Sequence, residues 1–159
     1  MGLRSFCNRL LLPAALCLPL LLAQSSGYLA VGEPQKVVGK RGTAVAVKIP
    51  VTVKQGYHVN SNTPAEDYLI PLKLTWTATG ALEGGTVTYP KPTMQKFEFS
   101  DKPISVYMGD FDLTANFKVG ANAPAGPGSA AGKLRYQACS DKACYPPKSV
   151  DVSISYQVQ

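Results

Sequence analysis

Apolar and polar positions alternate with a period of two along four stretches of the chain. Val45, Val47, Ile49, Val51 and Val53 fall on one side of the first, and Ile70, Leu72, Leu74 and Trp76 on one side of the second. Phe111, Leu113, Ala115, Phe117 and Val119 form the third, and Val150, Val152, Ile154 and Tyr156 the fourth. This is the period of an extended strand with one face in a core and the other in water. No long window after residue 26 keeps a helical period. Turn chemistry separates the stretches at Lys54-Gln55-Gly56, Thr79-Gly80, Gly84-Gly85, Tyr89-Pro90-Lys91-Pro92 and Ala121 to Ser129. Strands with one apolar face bury it by packing two sheets face to face. The predicted fold is therefore all-β, an immunoglobulin-like antiparallel β-sandwich. Trp76, mid-strand, is expected in the core. The Ala/Gly/Pro-rich tract at 121–132 reads as a loop, and no repeat or linker divides the chain.

Composition narrows the class. Of 159 residues, 45% are hydrophobic and 16% charged, enough for one packed domain. The N-terminus has its own character. Arg4 and Arg9 precede an apolar run from Leu10 to Leu22. That run suits a secretory signal and is shorter than the roughly 20 residues of a membrane helix, and Pro13 and Pro19 weaken it further as a span. Residues 1–26 are expected to be a signal peptide, cleaved between Ala23 and Gly27, and residues 27–159 the exported domain. Cys17 would suit a lipoprotein only with a small residue before it, and Leu16 stands there.

Cleavage would remove Cys7 and Cys17 with the leader and leave one pair, Cys139 and Cys144, in an oxidising compartment. It would also lower the formal net charge from +6 to +4 by removing Arg4 and Arg9. With no basic run interleaved with aromatics, nucleic acid is not expected as a partner.

The candidate chemistry lies in Leu134-Arg135-Tyr136-Gln137-Ala138-Cys139-Ser140-Asp141-Lys142-Ala143-Cys144-Tyr145-Pro146-Pro147. A strand is expected to end near Ala138 and another to begin after Pro147, with the cysteines in a wide hairpin loop. Opposed residues of an antiparallel pair have Cα atoms about 4.5–5.5 Å apart, within reach of a disulfide. Closing so short a ring stabilises by only ~2 kcal/mol, a weak staple for a domain with a core of its own. Arg135, Lys142 and Lys148 would favour a thiolate. From the residues alone, a redox pair and a structural staple stay equally open. Metal binding is disfavoured, because two thiolates and His58 fall one short of a closed zinc set. One histidine and no GxSxG elbow leave a hydrolase unsupported. His58 itself is expected to be a turn or buried histidine with ordinary hydrogen bonds, Asn60 and Asn62 turn formers, and Glu66 and Asp67 solvated.

The pattern Tyr136-Gln137-Ala138-Cys139 with Cys144-Tyr145-Pro146-Pro147 resembles the active-site segment of the N-terminal periplasmic domain of the thiol:disulfide interchange protein DsbD. His58-Val59-Asn60-Ser61-Asn62-Thr63-Pro64, Tyr68-Leu69-Ile70-Pro71, Phe97-Glu98-Phe99 and Val106-Tyr107 are similar to further segments of that family. The resemblance implies an immunoglobulin-like fold and a periplasmic protein-disulfide reductase type of activity with no cofactor and no metal. It implies electrons taken from a thioredoxin-like partner, coupled to a membrane electron transporter in trans, and passed to periplasmic disulfide isomerases or thiol proteins of cytochrome c maturation. A monomer is expected. By position, Cys144 resembles the cysteine that forms the mixed disulfide and Cys139 its resolving partner, with Tyr136 and Tyr145 around them. The family shields its disulfide with an aromatic cap. On one strand face Phe97 and Phe99 would point together, and Phe99, nearer the expected strand break, is favoured as cap with Phe97 in the core. The loop between the cysteines is one residue shorter than in the best-known members. The competing expectation is an exported binding or chaperone-like module with a purely structural disulfide.

Overall fold

The computed structural model describes residues 24–25 and 27–159. The signal-peptide expectation lies outside the described residues, apart from the backbone of Gln24–Ser25. Thirteen strands occur among the described residues: β1 (Gln24–Ser25), β2 (Leu29–Val31), β3 (Val37–Gly39), β4 (Ala44–Val53), β5 (His58–Asn60), β6 (Lys73–Ala78), β7 (Leu82–Thr88), β8 (Thr93–Gln95), β9 (Ile104–Tyr107), β10 (Asp110–Val119), β11 (Gly126–Tyr136), β12 (Ala138–Cys139) and β13 (Lys148–Val158). No helix is present among them.

Two sheets form the sandwich, in the orders β1-β2-β4-β10-β7 and β3-β13-β11-β6. The predicted alternation builds both. In the first sheet Ile49 lies opposite Leu113 and Val47 opposite Ala115. In the second, Leu134 lies between Val150 and Leu74. These side chains are almost entirely buried in one apolar cluster between the sheets. At ~25 cal/mol per Å² of apolar surface, such burial is the main stabilising term of the domain. Ile70 and Leu72 precede β6 in a loop, so only Leu74 and Trp76 of that run are strand residues. The chain crosses from the first sheet to the second after β2, and β3 arrives beside β13 in the same direction, one parallel pair in an otherwise antiparallel fold.

Two turn signals turn out to lie within strands. Gly84-Gly85 belongs to β7, where the register slips between Asn116 and Phe117 and Gly85 is the extra residue of a bulge. Gly85 has a φ of 87°, and a Cβ there would stand 2.5 Å from the Trp76 ring. Trp76 accordingly spans to this strand, donating from Nε1 to the Gly85 carbonyl (2.8 Å) and packing on Phe117. It is a half-buried core residue, as expected. The tract at 121–132 is a turn only at its start, and from Gly126 onwards it is β11, paired along its length with β13. Gly128 is a packing choice there, since a Cβ would meet the Tyr156 ring at 2.4 Å. Glycines that make room for aromatic rings read as turn formers in a linear sequence.

A third, small sheet was not anticipated. Its order is β12-β5-β9-β8. Every residue of β5 and β9 is buried, so both faces are covered. Leu69, Phe97, Ile104 and Val106 form a second apolar cluster against it, with Phe99 at the margin. This sheet carries Cys139.

Candidate functional site

Cys139 ends β12, and the chain reverses through Ser140–Ala143 to Cys144, which faces it across an isolated antiparallel bridge. The turn is tight rather than wide. Ser140 N donates to the Ala143 carbonyl and Tyr145 N to the Ala138 carbonyl, each at 2.9 Å. The Cα atoms of the cysteines are therefore only 3.9 Å apart, and the two sulfurs are bonded. The two cysteines differ in access: Cys139 is 0% exposed, whereas Cys144 is partly exposed. An attacking thiolate has to reach a sulfur in line with the S–S bond, so this asymmetry bears on which one reacts.

Backbone pairing sets His58 directly opposite Cys139, because β12 is the neighbour of β5. Directly opposed residues share one face of the sheet with Cβ atoms roughly 4.5–5.5 Å apart. His58 is 1% exposed, and its Nε2 has no hydrogen-bond partner. Burial lowers the imidazole pKa from 6.5 to about 4, and the Asp141 carboxylate, on the cysteine turn, pulls in the opposite direction. The Phe97 ring stacks on the imidazole with centroids 3.9 Å apart. His58, Phe97 and Asp141 line a cavity of about 500 Å³ with Lys54, Tyr57, Met108 and Asp110 among its other walls. On another side of the turn, Tyr145 stacks on Tyr28 at 4.9 Å, Tyr57 leans on both rings, and Lys148 Nζ stands 5.0 Å above Tyr28.

A buried sulfur bonded to an accessible one, in a short turn held by a dedicated small sheet, is an arrangement suited to exchange. Residues 27–155 match the family described as thiol:disulfide interchange protein DsbD, N-terminal. The chain belongs to this DsbD N-terminal family. Among solved structures, the N-terminal periplasmic domain of ScsB from Proteus mirabilis superposes with a TM-score of 0.57 at 14% identity, over 82% of this chain and 46% of that one. The chain thus spans about half the length of that structure, and at this identity the likeness shows the fold. The Neisseria meningitidis DsbD N-terminal domain in its reduced form aligns over 86% of this chain and 91% of its own, at 21% identity and a TM-score of 0.47. No curated protein sequence matches the chain.

Within this DsbD N-terminal domain, the residues expected at the site divide into three groups. Cys139 and Cys144 are joined, and Tyr145 lies beside them in the tyrosine cluster. Tyr136, at the end of β11, is 0% exposed and belongs to the core cluster. Phe97 and Phe99 are not on a strand. Phe97 opens a turn after β8, closed by Ser100 N donating to the Phe97 carbonyl at 3.2 Å, and Phe99 lies within it. The turn still makes their rings parallel, 7° apart, with Phe97 buried and Phe99 half-buried.

His58 is buried as expected, but its Nε2 makes no ordinary hydrogen bond. Asn60 departs from expectation. It is a fully buried strand residue whose Nδ2 donates to the Ile70 carbonyl (3.0 Å) and to Gln137 Oε1 (3.1 Å). Gln137 is the organiser that residue-by-residue reading passed over. Its Oε1 also accepts from Ile70 N (3.1 Å), and its Nε2 donates to the Tyr145 carbonyl (3.2 Å). One amide side chain thus ties β5, the segment before β6 and the chain just after Cys144. Its signal was its place in Tyr-Gln-x-Cys, two residues before the cysteine.

Proposed function

We propose that residues 27–159 act as a periplasmic thiol–disulfide exchange domain, exported by a signal peptide over residues 1–26. Electrons arrive from a thioredoxin-like partner coupled to a membrane transporter. They leave to periplasmic disulfide isomerases or cytochrome c maturation thiol proteins. The observation that carries this reading is the unequal exposure of the two bonded cysteines. A partner thiolate attacks the accessible Cys144 Sγ, forms the mixed disulfide there and expels Cys139 as the leaving sulfur. The partner's second thiolate then attacks its own sulfur in the mixed disulfide and releases Cys144, so two electrons enter. In the donating direction the Cys144 thiolate attacks a partner disulfide, and Cys139 then attacks Cys144 Sγ and releases the partner as a dithiol. The name of the ScsB structure, a periplasmic N-terminal domain, supports the compartment. Phe99 serves as the cap and Phe97 as its buried support, consistent with their exposures.

The deciding experiment is an equilibrium titration of the Cys139–Cys144 bond against glutathione. Structural disulfides of secreted proteins lie below about −300 mV and labile ones above it. A potential above that line, with the fold retained on reduction, supports exchange. A potential well below it, with stability sharply lost on reduction, assigns the bond to a staple. Intact-mass measurement of protein from a periplasmic extract tests the leader, with loss of the first 23–26 residues expected.

A further inference from the structure

Thiol–disulfide exchange moves a proton as well as electrons, and the buried sulfur has little access to water for that transfer. Cys139 is 0% exposed. Before it attacks as a thiolate, its proton has to pass to a group already beside it. His58 stands directly across the β5–β12 ladder from Cys139, in the same buried layer. Its Nε2 is buried without a partner in the oxidised protein. That vacancy has a specific chemical sense. A disulfide has no S–H to donate, whereas reduction gives Cys139 one, and an imidazole with its proton on Nδ1 presents Nε2 as the acceptor.

We propose that His58 is the base that accepts the Cys139 thiol proton when the disulfide re-forms, a role that rests on the exchange reading above. In the mixed disulfide, Cys139 Sγ–H gives its proton to His58 Nε2, and the resulting thiolate attacks Cys144 Sγ. The Cys139–Cys144 bond forms as the bond from Cys144 to the partner sulfur breaks. The partner leaves as a thiolate carrying the electron pair, and the imidazolium returns its proton to water or to that thiolate. The charged groups facing His58 are consistent with a short-lived imidazolium. Asp141 on the cysteine turn favours it, and Asp110 at the start of β10 and Lys54 on the turn after β4 line the adjoining cavity with it. Burial disfavours the imidazolium, so the ring is neutral at pH 7 and passes its proton on as the new S–S bond forms. Stacking on Phe97 holds the ring plane.

The test separates the two sulfur steps. Fully reduced protein is mixed with an equimolar chromogenic aryl disulfide, and release of the coloured thiol is followed by stopped flow. Attack by Cys144 gives the first release, and resolution by Cys139 gives the second. In His58→Gln the first release is expected unchanged. The second should slow by about a hundredfold, the lower range of general-base contributions. Its rate should then rise in proportion to hydroxide, whereas the unaltered protein is flat around pH 7. Equal second-step rates and pH profiles in the two proteins overturn the proposal alone. Absence of a second release from the unaltered protein overturns the exchange reading, and the proposal with it. A second measurement avoids any dependence on the variant's folding. His58 is the sole histidine, so its ring nitrogens are assigned unambiguously by NMR. Reduction is expected to move the Nε2 resonance in the direction of an accepted hydrogen bond in the unaltered protein and not in Cys139→Ala; an unmoved resonance overturns the proposal.

Discussion

The Phe97 ring lies against the His58 imidazole with centroids 3.9 Å apart and planes 16° from parallel. Through this stack the turn after β8 is fastened to β5, and β5 carries the strand that holds Cys139. The aromatic turn and the disulfide, some 40 residues apart in sequence, thus form one unit. Its parts have different duties: Phe97 is 7% exposed and belongs to the second apolar cluster, whereas Phe99 is half-buried at its margin.

Truncation should separate those duties. Phe97→Ala is expected to cost about 3–5 kcal/mol, as removal of a buried aromatic does. Phe99→Ala should cost much less and speed reduction of the disulfide by a small nonspecific thiol. Urea unfolding and the reduction rate with excess dithiol measure both, and an unchanged rate in the Phe99 variant removes it as the shield.

The order of the cysteines is tested by trapping. With Cys139→Ser the accessible Cys144 remains, and a mixed disulfide with a thioredoxin-like partner should accumulate on non-reducing gels. Cys144→Ser leaves only the fully buried thiol and should trap little. The opposite pattern reverses the assignment.

Gln137 bonds to Asn60, Ile70 and Tyr145 through a single side-chain amide. Gln137→Leu removes all of these bonds and strands buried polar groups. A destabilisation of about 1–3 kcal/mol is expected from each group left unsatisfied, and less where water enters. Amide hydrogen exchange should quicken at Ile70, whose N–H loses its acceptor, while the β4–β10 ladder keeps its protection.

The depressed pKa of His58 predicts a pH dependence of stability. The ring titrates at about 4 when folded, because of burial, against 6.5 when exposed. Between those values the unfolded chain binds more protons, so stability rises with pH across the window and falls as pH drops from 6.5 towards 4. The difference amounts to something on the order of 3 kcal/mol at full extent. The slope of urea midpoint against pH in this window should largely vanish in His58→Gln.

Period-two alternation made β4, β10, β13 and the core side of β6 legible in the sequence, because each has one wet face. The cysteine motif and its flanking Cys-Tyr-Pro-Pro likewise identified the bonded pair and the family. The small sheet was illegible for the converse reason. His58-Val59-Asn60 and Ile104-Ser105-Val106-Tyr107 are buried on both faces, so polar and apolar residues follow no period. Burial of a histidine and an asparagine is a property of what packs on them, and no local pattern encodes it. The bulge at Gly85 and the strand at Gly126 to Gly132 were hidden in the same way, since their glycines answer to the rings of Trp76 and Tyr156 across the fold. Tertiary structure alone decided which sulfur is covered and which polar side chains surround the pair, because both depend on β12 pairing with β5, some 80 residues distant along the chain.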